Sequence, residues 1–426
     1  MSQAWPVVPL GEIADVVGGG TPSTKEPSYW GGEIAWVTPK DLSQLTSRFV
    51  ERGARSITVE GLESSSAKVL PPGALVVSSR APIGYVAIAD VPLATSQGCR
   101  SLVFTGDEPM FFYYVLKSST EKLEALANGT TFREISGAGM KRVVVPRPPL
   151  DQQRSIATIL GAFDNKIERR QQTALLAEQL IRAIFQAWFV DFGPVRARAA
   201  GETSFPSMPQ PLFDALPTRL EDSRIGLVPE GWKVESIGDV VGVRGGGTPS
   251  TRQSEYWDGG IHCWATPKDM SRLTHPVLLD TERYITDAGA DSISSGILPI
   301  GTVLMSSRAP VGYLAIAGVP TAVNQGFIAM VCEGRLPPIY ILSWAQSSMD
   351  SIRAQASGTT FPEISKKNFR PLPVVVPPPD VIAGYQDAIN PLFDLLTSSV
   401  RESVQLASVR DYVLQELLTG AVRVEP

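Results

Sequence analysis

The sequence predicts an α+β protein: two duplicated mixed α/β domains separated by two long helices that pair as an antiparallel coiled coil, with pseudo-two-fold symmetry. Three observations carry this reading. The chain repeats itself with a whole-domain period, two glycine-poor segments have helical apolar spacing, and strand-length apolar runs recur inside each copy. The 426 residues suffice for about three domain-sized units. Apolar residues at 43% and charged residues at 19% are a globular composition. The 37 glycines and 35 prolines favour turn-rich β structure over a purely helical protein.

The repeat fixes the organisation. GGGTPST at Gly18–Thr24 returns intact at Gly245–Thr251, and Tyr29-Trp30 returns as Tyr256-Trp257. TPKD at Thr38–Asp41 returns at Thr266–Asp269, and SSRAPIGYVAIA at Ser78–Ala89 returns as SSRAPVGYLAIA at Ser306–Ala317. Gln97-Gly98 matches Gln325-Gly326, and GTTFREIS ending at Ser136 matches GTTFPEIS ending at Ser365. The offset drifts only from 227 to 229, so whole domains are duplicated, here residues 1–150 and 229–379. Inside each copy, Ala74–Ser79, Arg80–Gly84 and Tyr85–Ala89 read as strand, turn and strand. Val143–Val145 and Val374–Val376 read as a further strand in each.

The texture changes after each copy. Asp151–Phe192 contains one glycine and no proline, with apolar or small residues at Ile156, Leu160, Phe163, Ile167, Ala174, Ala177, Ile181, Ile184 and Trp188. Steps of four and three are coiled-coil spacing, with Arg170 the one polar interruption. Such a helix spans about 60 Å, and Gly193-Pro194 is expected to stop it. Segment 151–228 thus holds this helix and a connector, the stretch Val195–Glu230 reading as irregular. The last segment, 380–426, repeats the spacing at Ile382, Tyr385, Ile389, Leu392, Leu396, Leu406, Val413 and Leu417. Pro391 should start or kink that helix rather than sit inside it.

Several function classes are disfavoured. No run of 18 apolar residues exists, so no membrane span is expected, and the start MSQAWPVVPL lacks a signal-peptide layout. Three cysteines without CxxC spacing argue against disulfide or zinc scaffolds and fit a reducing cytoplasm. Both histidines, His262 and His275, lie in the second half, so chemistry common to both copies cannot use histidine. The net charge of −5 does not advertise a nucleic-acid binder, yet the acid excess sits almost wholly in 380–426, with 3 basic against 7 acidic residues. No catalytic triad, metal cluster, methyltransferase signature or helicase motif is present.

The recurring polar residues are the candidates for contact. GGGTPST has no P-loop lysine, which argues against nucleotide hydrolysis. It reads as a tight turn whose glycines allow φ > 0, with Thr21, Ser23 and Thr24, and Thr248, Ser250 and Thr251, able to meet nucleic-acid phosphates. Arg80 and Arg308, at the apex of the strand–turn–strand element, could reach a phosphate or a guanine or hold a salt bridge. Lys40 and Lys268 invite the same two readings, with the adjacent aspartate as partner. Gln97 and Gln325 could read adenine, although capping a loop is the stronger reading. Lys141 with Arg142, and Lys366 and Lys367 with Arg370, follow the same GTTFxEIS motif and are candidates for phosphate contact. Tyr29-Trp30, Trp36 and their counterparts read as core before base-stacking platforms.

In this order and duplicated, the motifs resemble the specificity subunits of type I restriction–modification enzymes over essentially the whole chain. The exit VVVPRPPLDQQ, the run Trp188–Val195 and Val228–Trp232 add to the likeness, while PPPDVIAGYQ departs from it at the second exit. The resemblance implies a non-catalytic subunit whose two target-recognition domains each read half of a bipartite double-stranded DNA site. The helices would fix the gap and hold two adenine-N6 methyltransferase subunits, joined by two restriction–translocation subunits. Trp188, Phe189 and Phe192 are the expected partner-binding residues. S-adenosylmethionine, ATP and magnesium would belong to the partners, leaving no cofactor in this chain. The likeness between the copies suggests similar half-sites, with Ser43–Ser66 and Ser271–Ser294 as variable segments. Two rivals stay open: a duplicated phosphate-loop hydrolase, and a non-DNA binding module such as a glycan binder.

Overall fold

The computed structural model describes residues 4–45, 47–80, 82–127, 133–358 and 362–424. The chain divides into two units, one of residues 1–169 with 403–426 and one of residues 170–402. Each unit contains one copy of the repeat, part of the central helix Leu150–Phe185 and part of the distal helix Pro379–Thr419.

The duplicated domain has one topology in both copies. In the first, a five-stranded sheet runs in the order Ala14–Gly18, Arg100–Phe104, Leu75–Val77, Val86–Ala89, Phe49–Val50. A three-stranded sheet runs Arg55–Ile57, Trp30–Val37, Leu93–Thr95, its last pair parallel. The second copy repeats both sheets strand for strand, with Arg283–Ile285, His262–Ala265 and Thr321–Val323 forming the smaller one. The expected strand, turn and strand is present, because Ser78 and Tyr85 close the turn through a 2.8 Å backbone bond. The valine run at the domain exit also forms the expected strand. Val144–Pro146 pairs with Val7–Pro9, and Pro373–Val376 pairs with Lys233–Ser236, so each domain is pinned where the chain enters and leaves.

The helices pair as the apolar stripes demand. In the first unit Ile156 and Leu160, near the start of the central helix, share a core with Leu414 and Leu417, near the end of the distal one. In the second unit Ile181, Ile184 and Phe185, near the end of the central helix, share a core with Ile382, Tyr385 and Ile389, near the start of the distal one. The chain directions are therefore opposed. Arg170, the polar interruption, meets Glu402 at 2.7 Å, which explains its place in the stripe.

Three local expectations are corrected. Pro391 lies inside the distal helix. Its missing hydrogen bond costs about 3 kcal/mol, and the wholly buried Tyr385, Ile389 and Leu396 around it offset that cost. Gly193-Pro194 does not end the central helix but opens a short one, Gly193–Ala199. The break comes earlier, where the α-helix passes into a π-type turn at Gln186–Val190 and a left-handed Phe192 at φ +53°. The connector is not irregular either, since it holds Gln210–Ala215 as helix and a hairpin of Leu220–Ser223 with Gly226–Pro229. Its apolar residues Phe213, Leu216 and Val228 are buried in the second unit's core, and that burial gives the proline-rich segment its order.

Candidate nucleic-acid interface

The repeated motifs, scattered through 120 residues of sequence, are knitted together in each domain by backbone hydrogen bonds. Gly20 N–H donates to Thr95 O at 2.9 Å and Ser96 N–H to Val37 O at 2.9 Å, joining the glycine loop, the QG loop and the strand before TPKD. Ser79 N–H donates to Gly98 O at 2.8 Å and Ile135 N–H to Ser79 O at 3.0 Å, adding the arginine loop and the GTTFxEIS segment. The second domain repeats the set through Gly247, Asn324, Ser307 and Ile364. Within GTTFxEIS, Gly129–Phe132 and Thr359–Phe361 lie outside the described residues.

The glycine loop is not the tight turn the sequence suggests. None of its six glycines has a positive φ. Residues 19–23 run as an irregular segment with a turn only at Thr24-Lys25. The glycines serve close approach: a Cβ on Gly19 would lie 2.1 Å from Ser96 O, and one on Gly246 would lie 1.9 Å from Val323 O. A loop without left-handed residues lacks the alternation that aims successive N–H groups at one phosphate. What it does offer is hydroxyl groups, with Ser23, Thr24, Ser250 and Thr251 exposed. Thr21 is tied instead to Gln97 Oε1, and Thr248 Oγ1 donates to Gln325 Oε1 at 2.6 Å. Gln97 and Gln325 therefore hold the loop, and each keeps an exposed amide group beside it.

The basic candidates fall into three situations. Arg80 and Arg308 lie on the rising arm rather than the apex, their backbones bridged to Glu134 and Glu363. Their guanidinium groups stand 3.7 and 3.9 Å from those carboxylates and are more than a third exposed. In the first domain Arg100 takes Glu134 more closely, at 2.8 Å. Lys40 and Lys268 are exposed, but the adjacent aspartate is not their partner. Asp41 and Asp269 accept from Thr38 and Thr266 in capping boxes. Lys268 pairs with Glu282 at 2.9 Å, while Lys40 has no ion-pair partner among the described residues. Glu282, shared with Arg272, is held below the usual carboxylate range by the Lys268 hydrogen bond.

The basic clusters after GTTFxEIS do not correspond in position. Ser136 and Ser365 cap equivalent short helices. Gly137 and Ala138 therefore stand where the second domain has Lys366 and Lys367, and Lys141 corresponds to Arg370. Lys141 and Arg370 lie over Gly11 and Gly238, whose added Cβ would be 2.9 and 2.7 Å away. Arg370 also donates to Val243 O at 3.2 Å, a structural contact. Lys366 reaches the start of the glycine loop, within 2.9 Å of a Cβ on Gly245. Arg142 is exposed at the end of its helix.

Two residues in the segments expected to vary were missed. Arg55 lies 3.3 Å over the Trp30 ring and Arg283 lies 3.6 Å over the Trp257 ring. The repeat held the signal, since RSI at Arg55–Ile57 and RYI at Arg283–Ile285 stand at the common offset. The paired indoles are partly as expected: Trp36 and Trp264 are core, but Trp30 and Trp257 are half-buried platforms.

Trp188, Phe189 and Phe192, the expected partner-binding residues, are largely buried. They are 1%, 3% and 6% exposed and pack against Tyr385, Tyr340 and Trp232, so their side chains serve chiefly the core of the second unit. Among the described residues no group of three histidine, cysteine or acidic side chains could hold a metal, and no helix is long and apolar enough to cross a membrane.

Duplicated domains with exposed, donor-rich loops, joined by paired helices, define a class, and comparison with known proteins identifies it. The profile of the type I restriction modification DNA specificity domain matches residues 2–177 and 229–397. The chain belongs to this family and is a non-catalytic specificity subunit, a protein of DNA target recognition in a restriction–modification complex. It is 29% identical to the type I restriction enzyme MjaIX specificity subunit of Methanocaldococcus jannaschii, over 99% of this chain and 94% of that protein. It is 24% identical to the HindI specificity subunit of Haemophilus influenzae, over 74% and 77%. The solved S subunit of a type I system from M. genitalium shares the fold at TM-score 0.56 and 16% identity, covering 97% of this chain and 96% of that one.

Proposed function

We propose that the chain reads a bipartite duplex target, one half with residues 1–150 and the other with residues 229–379. The segments 151–228 and 380–426 set the gap and hold two adenine-N6 methyltransferase subunits, with two restriction–translocation subunits joining them. S-adenosylmethionine, ATP and magnesium belong to those partners, and the complex works in the cytoplasm on DNA. The observation that carries this reading is the convergence of the same five motifs in both domains. Each convergence leaves hydroxyl, amide and guanidinium groups exposed from a backbone-bonded base, a donor-rich arrangement suited to phosphates and base edges. Ser23, Thr24, Lys40, Arg80 and Gln97, with their second-domain counterparts and Lys366 and Lys367, form the contact set. The direct test is duplex binding by the chain co-expressed with its methyltransferase partner. The reading requires a complex whose affinity falls steeply with salt, as counterions are released. A chain that copurifies with no methyltransferase, or binds duplex without salt dependence, contradicts it.

A further inference from the structure

Arg55 and Arg283 share four features that a scaffold arginine does not need. Each guanidinium carbon lies over a half-buried indole, 3.3 Å from the ring centroid in the first domain and 3.6 Å in the second. Each is itself exposed and has no ion-pair partner among the described residues. Each is fixed by register, because Arg55 stands directly across the strand pair from Trp36, and Arg283 across from Trp264. Finally, each platform is anchored to the glycine loop. Trp30 Nε1 donates to Ser23 O at 3.1 Å and Trp257 Nε1 to Ser250 O at 3.1 Å.

Contact with the indole restricts the guanidinium, and its N–H groups have no hydrogen-bond partner among the described residues. A planar, pre-oriented fork of donors matches the paired acceptors O6 and N7 on the major-groove edge of guanine. Ser23 and Ser250, whose carbonyls hold the platforms, are exposed with Thr24 and Thr251, and their hydroxyls are potential phosphate donors beside each fork. The geometry points to Arg55 and Arg283 as the paired guanine-reading side chains of the two domains, one in each half of the target. This rests on the reading of the chain as a bipartite DNA binder, and it goes further by giving each half-site a guanine at the corresponding position. Acidic neighbours do not compete for the fork in the second domain. Glu282 is occupied by Lys268 and Arg272, and Asp280 accepts from Tyr284.

The test maps methylated adenines in a host carrying the wild-type gene, Arg55→Lys, Arg55→Ala, Arg283→Lys or Arg283→Ala. Lysine keeps the charge but loses the planar fork. Both Arg55 variants should relax one guanine position in one half of the methylated motif, and both Arg283 variants one in the other half. Discrimination at that position should fall on the order of 10- to 100-fold. An unchanged motif in all four arginine variants overturns the proposal. So does methylation that weakens uniformly in the alanine variants and is restored by lysine, which marks a phosphate contact. If the wild-type gene itself produces no split motif, the underlying bipartite reading fails instead.

Discussion

Thr248 donates its hydroxyl proton to Gln325 Oε1 at 2.6 Å, joining the glycine loop to the QG loop, and Thr21 makes the same contact to Gln97. The bond fixes the orientation of an exposed amide, so its loss should affect recognition more than folding. Thr248→Val should lower stability by about 0.5–1.5 kcal/mol, the usual net value of one such bond. Binding of a duplex altered in the second half-site should change by more than the unfolding midpoint implies. Chemical denaturation and duplex titration of the same variant check both.

The ion pairs between helices differ in burial and should differ in worth. Arg410 meets Asp164 at 2.6 Å with both side chains largely buried, and Tyr114 donates to the same carboxylate at 2.7 Å. Arg410→Ala should cost about 3–5 kcal/mol, because it leaves Asp164 buried without its cation. Arg170→Ala breaks the more exposed pair with Glu402 and should cost at most about 1 kcal/mol. Thermal or denaturant unfolding of the two variants separates them.

Glycine substitutions should sort by the space behind the Cβ. Gly246→Ala places a methyl 1.9 Å from Val323 O, so strand and loop must part, at about 1–3 kcal/mol. Gly161→Ala, in the central helix, meets nothing within 4 Å and should stabilise by about 0.5–1 kcal/mol. Opposite shifts of the unfolding midpoint are the expected result.

Titration of the buried groups predicts alkaline instability in the first unit. Burial pushes the Cys99 thiol up to about 12 and holds the Tyr114 phenol above its usual range, with Asp164 adding to the latter. A folded-state value above the unfolded one gives stability that is complete below the unfolded pKa and is lost as pH rises above it. Stability should therefore decline from about pH 9 upward, first through the thiol and then through the phenol. Cys99→Ala and Tyr114→Phe should each flatten the decline in denaturation midpoints. Cys332, also raised to about 12 by burial, should resist alkylation at pH 8 with Cys99, while the half-buried Cys263 reacts first.

The repeat made the domains, the helices and their pairing legible, because apolar spacing and duplicated motifs are local in sequence. What stayed hidden depended on distance in space. The glycines of Gly18–Gly20 gave no sign whether they serve φ or close approach, since the answer lies far along the chain, in Thr95 and Ser96 for Gly19 and in Ser66 and Ala67 for Gly20. Lys141-Arg142 looked equivalent to Lys366-Lys367 until the capping serines set the register. The burial of Trp188, Phe189 and Phe192 was not legible, because their packing partners Tyr340 and Tyr385 lie far along the sequence, inside and after the second domain. Arg55 and Arg283 are legible in the repeat, but their segments differ enough between the copies to hide their correspondence.

The central claim is that this chain sets the target of adenine methylation. Genome-wide mapping of N6-methyladenine, in the host with and without this gene, tests it most directly. The account predicts that one split motif loses methylation on deletion, with a guanine at the corresponding position of each half. A methylome unchanged by deletion, in cells where the chain and a methyltransferase are both expressed, would contradict it.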